Sequence, residues 1–355
     1  MPDRDIPDTS GMRWAQCAAR NRPRMGPGRL GRVALRCETG SMSSTTSGSP
    51  SVAAGPVHDP DRVALSVEVA ILPRPVWLAR ARAHESRVRP WTEPRLGRRS
   101  RGEKHPVDDF LFDYYRLRPA GLRTWHPGID HALADAQAPY IGHRDYVVSE
   151  GLARVSDGAL RRRRAQLGRA VEILSAQRGR TATFSCFGMH EWAMVHGLRQ
   201  QEIRHEQLPL RVSPDQVIEV VAEVGLACSH FDAYRFFTPS ATALQRPLSR
   251  DNQSRDEQPG CLHAGMDLYR YAYEAGPLLA SELVADCFEH ARRAREVDMR
   301  ASPYDVSALG LSPIEVETAA GRAQYAREQR ALAQAAEQLR NRLLPVLANL
   351  LRRVT

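Results

Sequence analysis

The sequence predicts an α+β, mainly helical fold: a single compact domain with a few short strands, preceded by a disordered N-terminal segment. Three observations predict it. Apolar residues recur at three- and four-residue spacing in several runs between residues 157 and 355. One of these runs opens on a helix-capping residue, and only two stretches alternate in the manner of strands. Residues 1–60, by contrast, are rich in Arg, Ser, Pro and Gly, so they bury too little apolar surface to offset chain entropy.

Along the chain, residues 1–60 form a leader containing the run Gly40 to Pro50. It reads either as a basic arm or as an upstream extension ahead of a start at Met42. Residues 61–104 are an ambiguous basic segment. Val63, Leu65, Val67 and Val69 alternate like a strand, Pro73 and Pro75 interrupt, and Trp77 to Lys104 is Arg-rich. The globular, mainly helical domain is expected over 105–355. Asp157 to Gln177 has Leu160, Leu167, Val171 and Leu174 at helical spacing. Ser213-Pro-Asp opens a helix striped by Val217, Val220, Val221 and Val224 and stopped by Gly225. Leu226 to Phe237 reads as an aromatic strand. Ser281 to Asp298 is helical, with Leu283, Val284, Cys287, Phe288 and Ala291 on its buried side. A last helix from about Ala320 carries Leu332, Ala336, Leu339, Leu343, Val346 and Leu350 as a heptad-like seam, with a kink expected at Pro345. That seam packs on the domain, or serves a partner helix if the chain is an interaction protein.

Charge is unevenly spread. Of 50 basic and 41 acidic residues, residues 1–104 hold 19 and 10, leaving 31 of each in the remainder. The expected domain is therefore neutral, and any phosphate contacts would come from a local cluster such as Arg161 to Arg164. Lys104 is the sole lysine, which all but removes Lys-based covalent catalysis. The apolar stretch Val63 to Leu78 is broken by Glu68, Pro73, Arg74 and Pro75, so no bilayer span or membrane partner is expected. Six scattered cysteines without a C-x-x-C pair imply a reduced, cytoplasmic protein with no disulfide-linked partner.

Four segments concentrate the chemistry-bearing residue types: His105 to Tyr115 with Trp125-His-Pro-Gly128, Cys186 to Met194, Cys228 to Pro239, and Gln258 to Tyr269. On a strand, period two would put Cys228, His230, Asp232, Tyr234 and Phe236 on one face. His263 and Asp267 share a helix face at i, i+4, and Asp286 with His290 repeats the spacing on what reads as a solvated face. His190-Glu191-Trp192 joins imidazole, carboxylate and a broad ring, but Met194 breaks the H-E-x-x-H zinc pattern. Cys186, Cys228, Cys261 and Cys287 are expected to be buried free thiols in preference to a zinc site. P-loop and nucleophile-elbow signatures do not occur.

Over about residues 105–345 the chain resembles a family of actinobacterial proteins commonly labelled 3-methyladenine DNA glycosylase. The resemblance rests on His105 to Tyr115, Cys186 to Val195, Cys228 to Pro239, Glu257 to Tyr269 and Ser281 to Asp305, the last including Met299-Arg-Ala-Ser-Pro-Tyr-Asp305. It implies excision of alkylated bases from DNA, with DNA as partner and no cofactor. Gln258-Pro-Gly-Cys-Leu262 only superficially echoes the hairpin of helix-hairpin-helix glycosylases. Such chemistry needs a carboxylate to stabilise the sugar cation and an aromatic slot for the flipped base. Asp232 with Tyr234 and Phe236, or Glu191 with Trp192, offers that combination, and His230, His263, Asp267 and Tyr269 complete the candidate set. Without a lysine in the domain, the reaction would be monofunctional hydrolysis.

The residues also support a different enzyme. His190, His230 and His263, each near an acid (Glu191, Asp232, Asp267), would converge on Zn or Fe with an open position for water.

Overall fold

The computed structural model describes residues 69–203 and 208–354. The leader and the alternating run from Val63 therefore lie outside the described residues, except Val69. The chain enters on β1 (Ala70–Leu72) and turns at Pro73 into α1 (Arg74–Ser100). Two short helices follow, α2 (Phe110–Tyr114) and α3 (Pro119–Arg123), then β2 (His131–Ala134), β3 (Tyr146–Ser149) and β4 (Leu152–Val155). The rest is helical: α4 (Asp157–Arg162), α5 (Arg164–Arg178), α6 (Met189–Ala193), α7 (Pro214–Val224), α8 (Phe231–Tyr234), α9 (Pro239–Thr242), α10 (Gln253–Asp256), α11 (Leu262–Ala275), α12 (Ser281–Arg300) and α13 (Ala319–Arg352). The mainly helical α+β expectation holds.

The small sheet has the order β1-β2-β4-β3. β1 runs parallel to β2, and the other pairs are antiparallel, with Leu133 opposite Ala153 and Tyr146 opposite Val155. Glu150 and Gly151 both take positive φ, the turn that joins twisted strands in a two-residue hairpin.

The ambiguous basic segment is corrected. It supplies α1, so the domain includes residues 69–104 and does not start at His105. Trp77, His84, Val88 and Thr92 are buried along one face, which packs on α3 and α12. Its arginines answer acids of the domain: Arg80 pairs with Glu282 at 2.9 Å, and Arg87 with Asp286 and Glu289 at 2.7 and 2.9 Å. Arg98 grips the buried Asp109. The domain is accordingly not neutral. Residues 69–104 add ten basic and three acidic side chains to the balanced remainder.

The core is built where α11, α12, α13 and α5 pack together. The helix expected from Asp157 is two, divided at Arg163. α7 follows its sequence signals, with Ser213 accepting from the Gln216 N–H and Gln216 returning a bond to the Ser213 N–H. In α13, Ala336, Leu339, Leu343 and Leu350 are buried, so most of the seam packs internally. Val346 is exposed, and Leu344 and Leu347 take up the burial. Pro345 lies inside α13 without ending it. It and Asn341 are both exposed, where water can take the carbonyl that loses its donor.

No helix among the described residues is long and apolar enough to cross a membrane. Cys186, Cys228, Cys261 and Cys287 are free thiols.

Candidate metal centre

Three imidazoles from three separate segments meet inside the helical core. His190 sits on α6, a single turn launched by Phe187 and Gly188, both in left-handed conformations. At Gly188 a side chain would press on Ala301 and Tyr325 at 3.2–3.3 Å, so the turn needs glycine on both counts. His230 lies in the loop entering α8, and His263 is in the first turn of α11. The His263 ring touches His190 edge-on, centroids 4.5 Å apart, and stacks on His230 at 5.2 Å.

Around these rings stand two sets of three donors, each set lying within 4.8 Å: His190, His263 and Asp298, and His230, Glu257 and Asp267. All six residues are buried. In the second set, His230 Nε2 is 3.2 Å from Asp267 Oδ2 and 3.5 Å from Glu257 Oε1. In the first, His190 Nε2 and Asp298 Oδ1 approach to 2.7 Å yet do not align as a hydrogen bond. Donors bound at roughly 2.0–2.2 Å to one ion stand about 3.0–3.5 Å from each other, so these spacings are near those of a coordination shell. Free of metal, the same groups hold protons. Burial works against a charged His190, but Asp298 outweighs it and raises the imidazole well above its ordinary range. His263 goes the other way, lowered first by burial and then by His190. Glu257 is raised by burial and by Asp267 against the pull of His230.

A second layer orients the carboxylates. Asp267 accepts from Tyr115 Oη at 2.7 Å and from Arg270 Nη2 at 2.8 Å. Asp298 Oδ2 accepts from Arg295 Nη1, which also bonds Glu191 at 2.5 Å. Glu257 accepts from Gln253 and Gln177. Tyr269 is fully buried against Phe288, with ring centroids 4.8 Å apart. Cys186 Sγ lies 3.9 Å from His190 Nδ1. Burial pushes the Cys228 and Cys261 thiols up, with Cys186 nearby adding to it, while Cys287, raised by burial too, lies elsewhere near Asp286 and Arg342.

The structure thus brings His190, His230, His263 and Asp267 together, and holds Glu191 and Asp232 one layer away. Asp232 is ion-paired to Arg250 and Arg270 at 3.0 Å and to Arg235 at 3.4 Å. The aromatic strand is corrected: Cys228, His230 and Asp232 are buried, but the chain coils into α8 directly after His230. Tyr234 and Phe236 consequently leave the shared face and are only half-buried. Trp192 is walled in, its Nε1 donating to the Ala301 carbonyl. His290 is buried, not solvated, while Asp286 bridges Arg87 and Arg342. Of the arginine cluster, Arg162 and Arg163 are engaged by Asp145 at 2.6 Å each.

Sequence reasoning missed Glu257 and Asp298. The signal for Asp298 was present: it continues the buried stripe of α12 through Ala291, Ala294 and Arg295, and an acid on an apolar stripe calls for a partner. Glu257 had no such periodic frame. No protein-family model, curated protein or solved structure matches the chain.

Proposed function

We propose that this protein is a metal-dependent enzyme. His230, Glu257 and Asp267 hold one Zn or Fe ion, and His190, His263 and Asp298 hold a neighbouring ion. The observation that carries the reading is the convergence of six buried ligand-type side chains in two sets of three, the donor atoms of each set lying within 4.8 Å of one another. Gathering so many carboxylates and imidazoles away from water is costly unless protons or a cation offset their charge. A metal there would supply a polarised, readily deprotonated water or a redox centre. The chain's own groups fix the ligands: Tyr115 and Arg270 hold Asp267, and Arg295 holds Asp298. Burial of every ligand favours a small substrate. The test is elemental analysis of purified protein, before and after incubation with Zn(II) or anaerobic Fe(II). Bound metal is expected, lost in His263→Ala and in His230→Ala while circular dichroism stays helical. A wild type that retains and takes up neither ion refutes the proposal.

A second reading, excision of an alkylated base from DNA, has one observation in its favour. Arg235 and Arg250 are both about half-exposed on Asp232, the guanidinium of Arg235 lying 4.2 Å over the Phe236 ring and that of Arg250 5.2 Å over Phe231. Rings and cations are what a splayed nucleotide stacks on and pairs with. Against it, three guanidiniums neutralise Asp232, the carboxylate that would face the sugar cation. Release of free 3-methyladenine from alkylated DNA, assayed for wild type and Asp232→Asn, tests it directly; no release by the wild type eliminates it.

A further inference from the structure

At the opposite end of α11 from His263, roughly 20 Å along the helix axis, lies a cavity of about 340 Å³. It is walled by α1, α3, the loop before β3, the start of α5 and the junction of α11 with α12. Three arginines line it, Arg118, Arg144 and Arg163, against one acid, Asp145. Two imidazoles in the wall are disfavoured as cations: burial lowers His126 to about 3, and burial likewise lowers His84. The negative end of α11 and the positive end of α12 meet here and offset one another, so side chains set the field. The lining therefore carries a net charge of +2.

We propose that this cavity binds the phosphate group of a small phosphate monoester. Three details favour that ligand. A monoester carries nearly two negative charges at neutral pH and answers the +2 lining, whereas a carboxylate or a phosphodiester answers half of it. Arg163 is already positioned, with Nη1 on the Ala159 carbonyl and Nη2 on Asp145, and it lies across Gly276, where a Cβ would press on its guanidinium at 3.1 Å. Arg118 and Arg144 are exposed at the rim and able to close on an oxyanion. The cavity is at the small end of ligand-binding volumes, which suits a compact ester and not a polymer. His84 donates from Nε2 to the Leu122 carbonyl, leaving Nδ1 as an acceptor without a partner among the described residues. A ligand hydroxyl would complement it.

This proposal shares no residue with the metal centre and is tested apart from it, by calorimetry on chelator-treated full-length protein. The probes are inorganic phosphate, ribose 5-phosphate, ribose and acetate. Phosphate and ribose 5-phosphate are expected to bind, and ribose and acetate to give no heat beyond dilution. Arg118→Gln and Arg144→Gln should each weaken phosphate about tenfold or more, the loss of a charge-assisted bond. Both positions are exposed, so folding should survive, and an unchanged melting profile checks it. Absence of phosphate binding, binding indifferent to both substitutions, or equal competition by a single-stranded oligonucleotide would each overturn the proposal.

Discussion

The two ends of α11 solve opposite electrostatic problems. At its N-terminal end His263 and Asp267 sit in a sealed cluster where acids outnumber the cations that touch them, so His190 and His230 are pushed toward protonation or metal. At its C-terminal end the cavity is lined by three arginines against one acid, and burial lowers His126 and His84. One helix thus links a site that attracts cations to one that attracts anions. His126, His190 and His230 are all buried, so it is their carboxylate neighbours that set His190 and His230 apart from His126.

The largest expected effect lies at the sealed end. Asp298→Ala removes the partner of both His190 and Arg295, and breaking a buried pair this way costs roughly 3–5 kcal/mol. Urea unfolding of metal-free protein measures it, and a loss below about 1 kcal/mol would mean that the network is not coupled as described. Next comes the pH response of the open end. Burial places His126 at about 3 in the folded protein, against an ordinary 6.5. Its folded value is depressed, so its contribution is complete above about 6.5 and declines as pH falls toward 3, by about 1.4 kcal/mol per unit. His126→Gln should flatten that slope in acid unfolding curves without changing metal content. A smaller effect is expected from Gly276→Ala. With φ at +58° and Arg163 pressed against it, the site should lose roughly 1–2 kcal/mol of stability. Phosphate binding should weaken with it while the metal cluster stays intact; equal damage at both ends would show that the two are not separable.

Much of the helical frame was legible because it depends on local signals: the cap and stop of α7, the span of α12, the seam of α13. The sheet was not, since its strands are only three or four residues long and offer little alternation to read. α1 was legible in retrospect. Trp77, Ala81, His84, Val88 and Trp91 follow helical spacing, but two prolines and dense arginine obscured the stripe. Within the candidate site, the three histidines and Asp267 stood out as residue types. Convergence of the histidines was one of the alternatives read there, but the acids that meet them, Glu257 and Asp298, were not, since that depends on packing between α6, the loop before α8, α11 and α12. Glu191 and Asp232 looked equally catalytic in sequence, and only their arginine partners set them apart.

The pairing of α1 with α12 has one more consequence. Arg80 and Arg87 are seven residues apart, as are their partners Glu282 and Glu289, with Asp286 between them. Both numbers rise together, so the two helices run in the same direction with matching graduations about 10 Å apart. A slip of one turn along α12 would set Arg87 against Arg293 in one direction and leave Arg80 beside Leu278 and Leu279 in the other. The arginine-rich composition that obscured α1 in the sequence therefore acts as a vernier, allowing the helix to dock at only one axial setting.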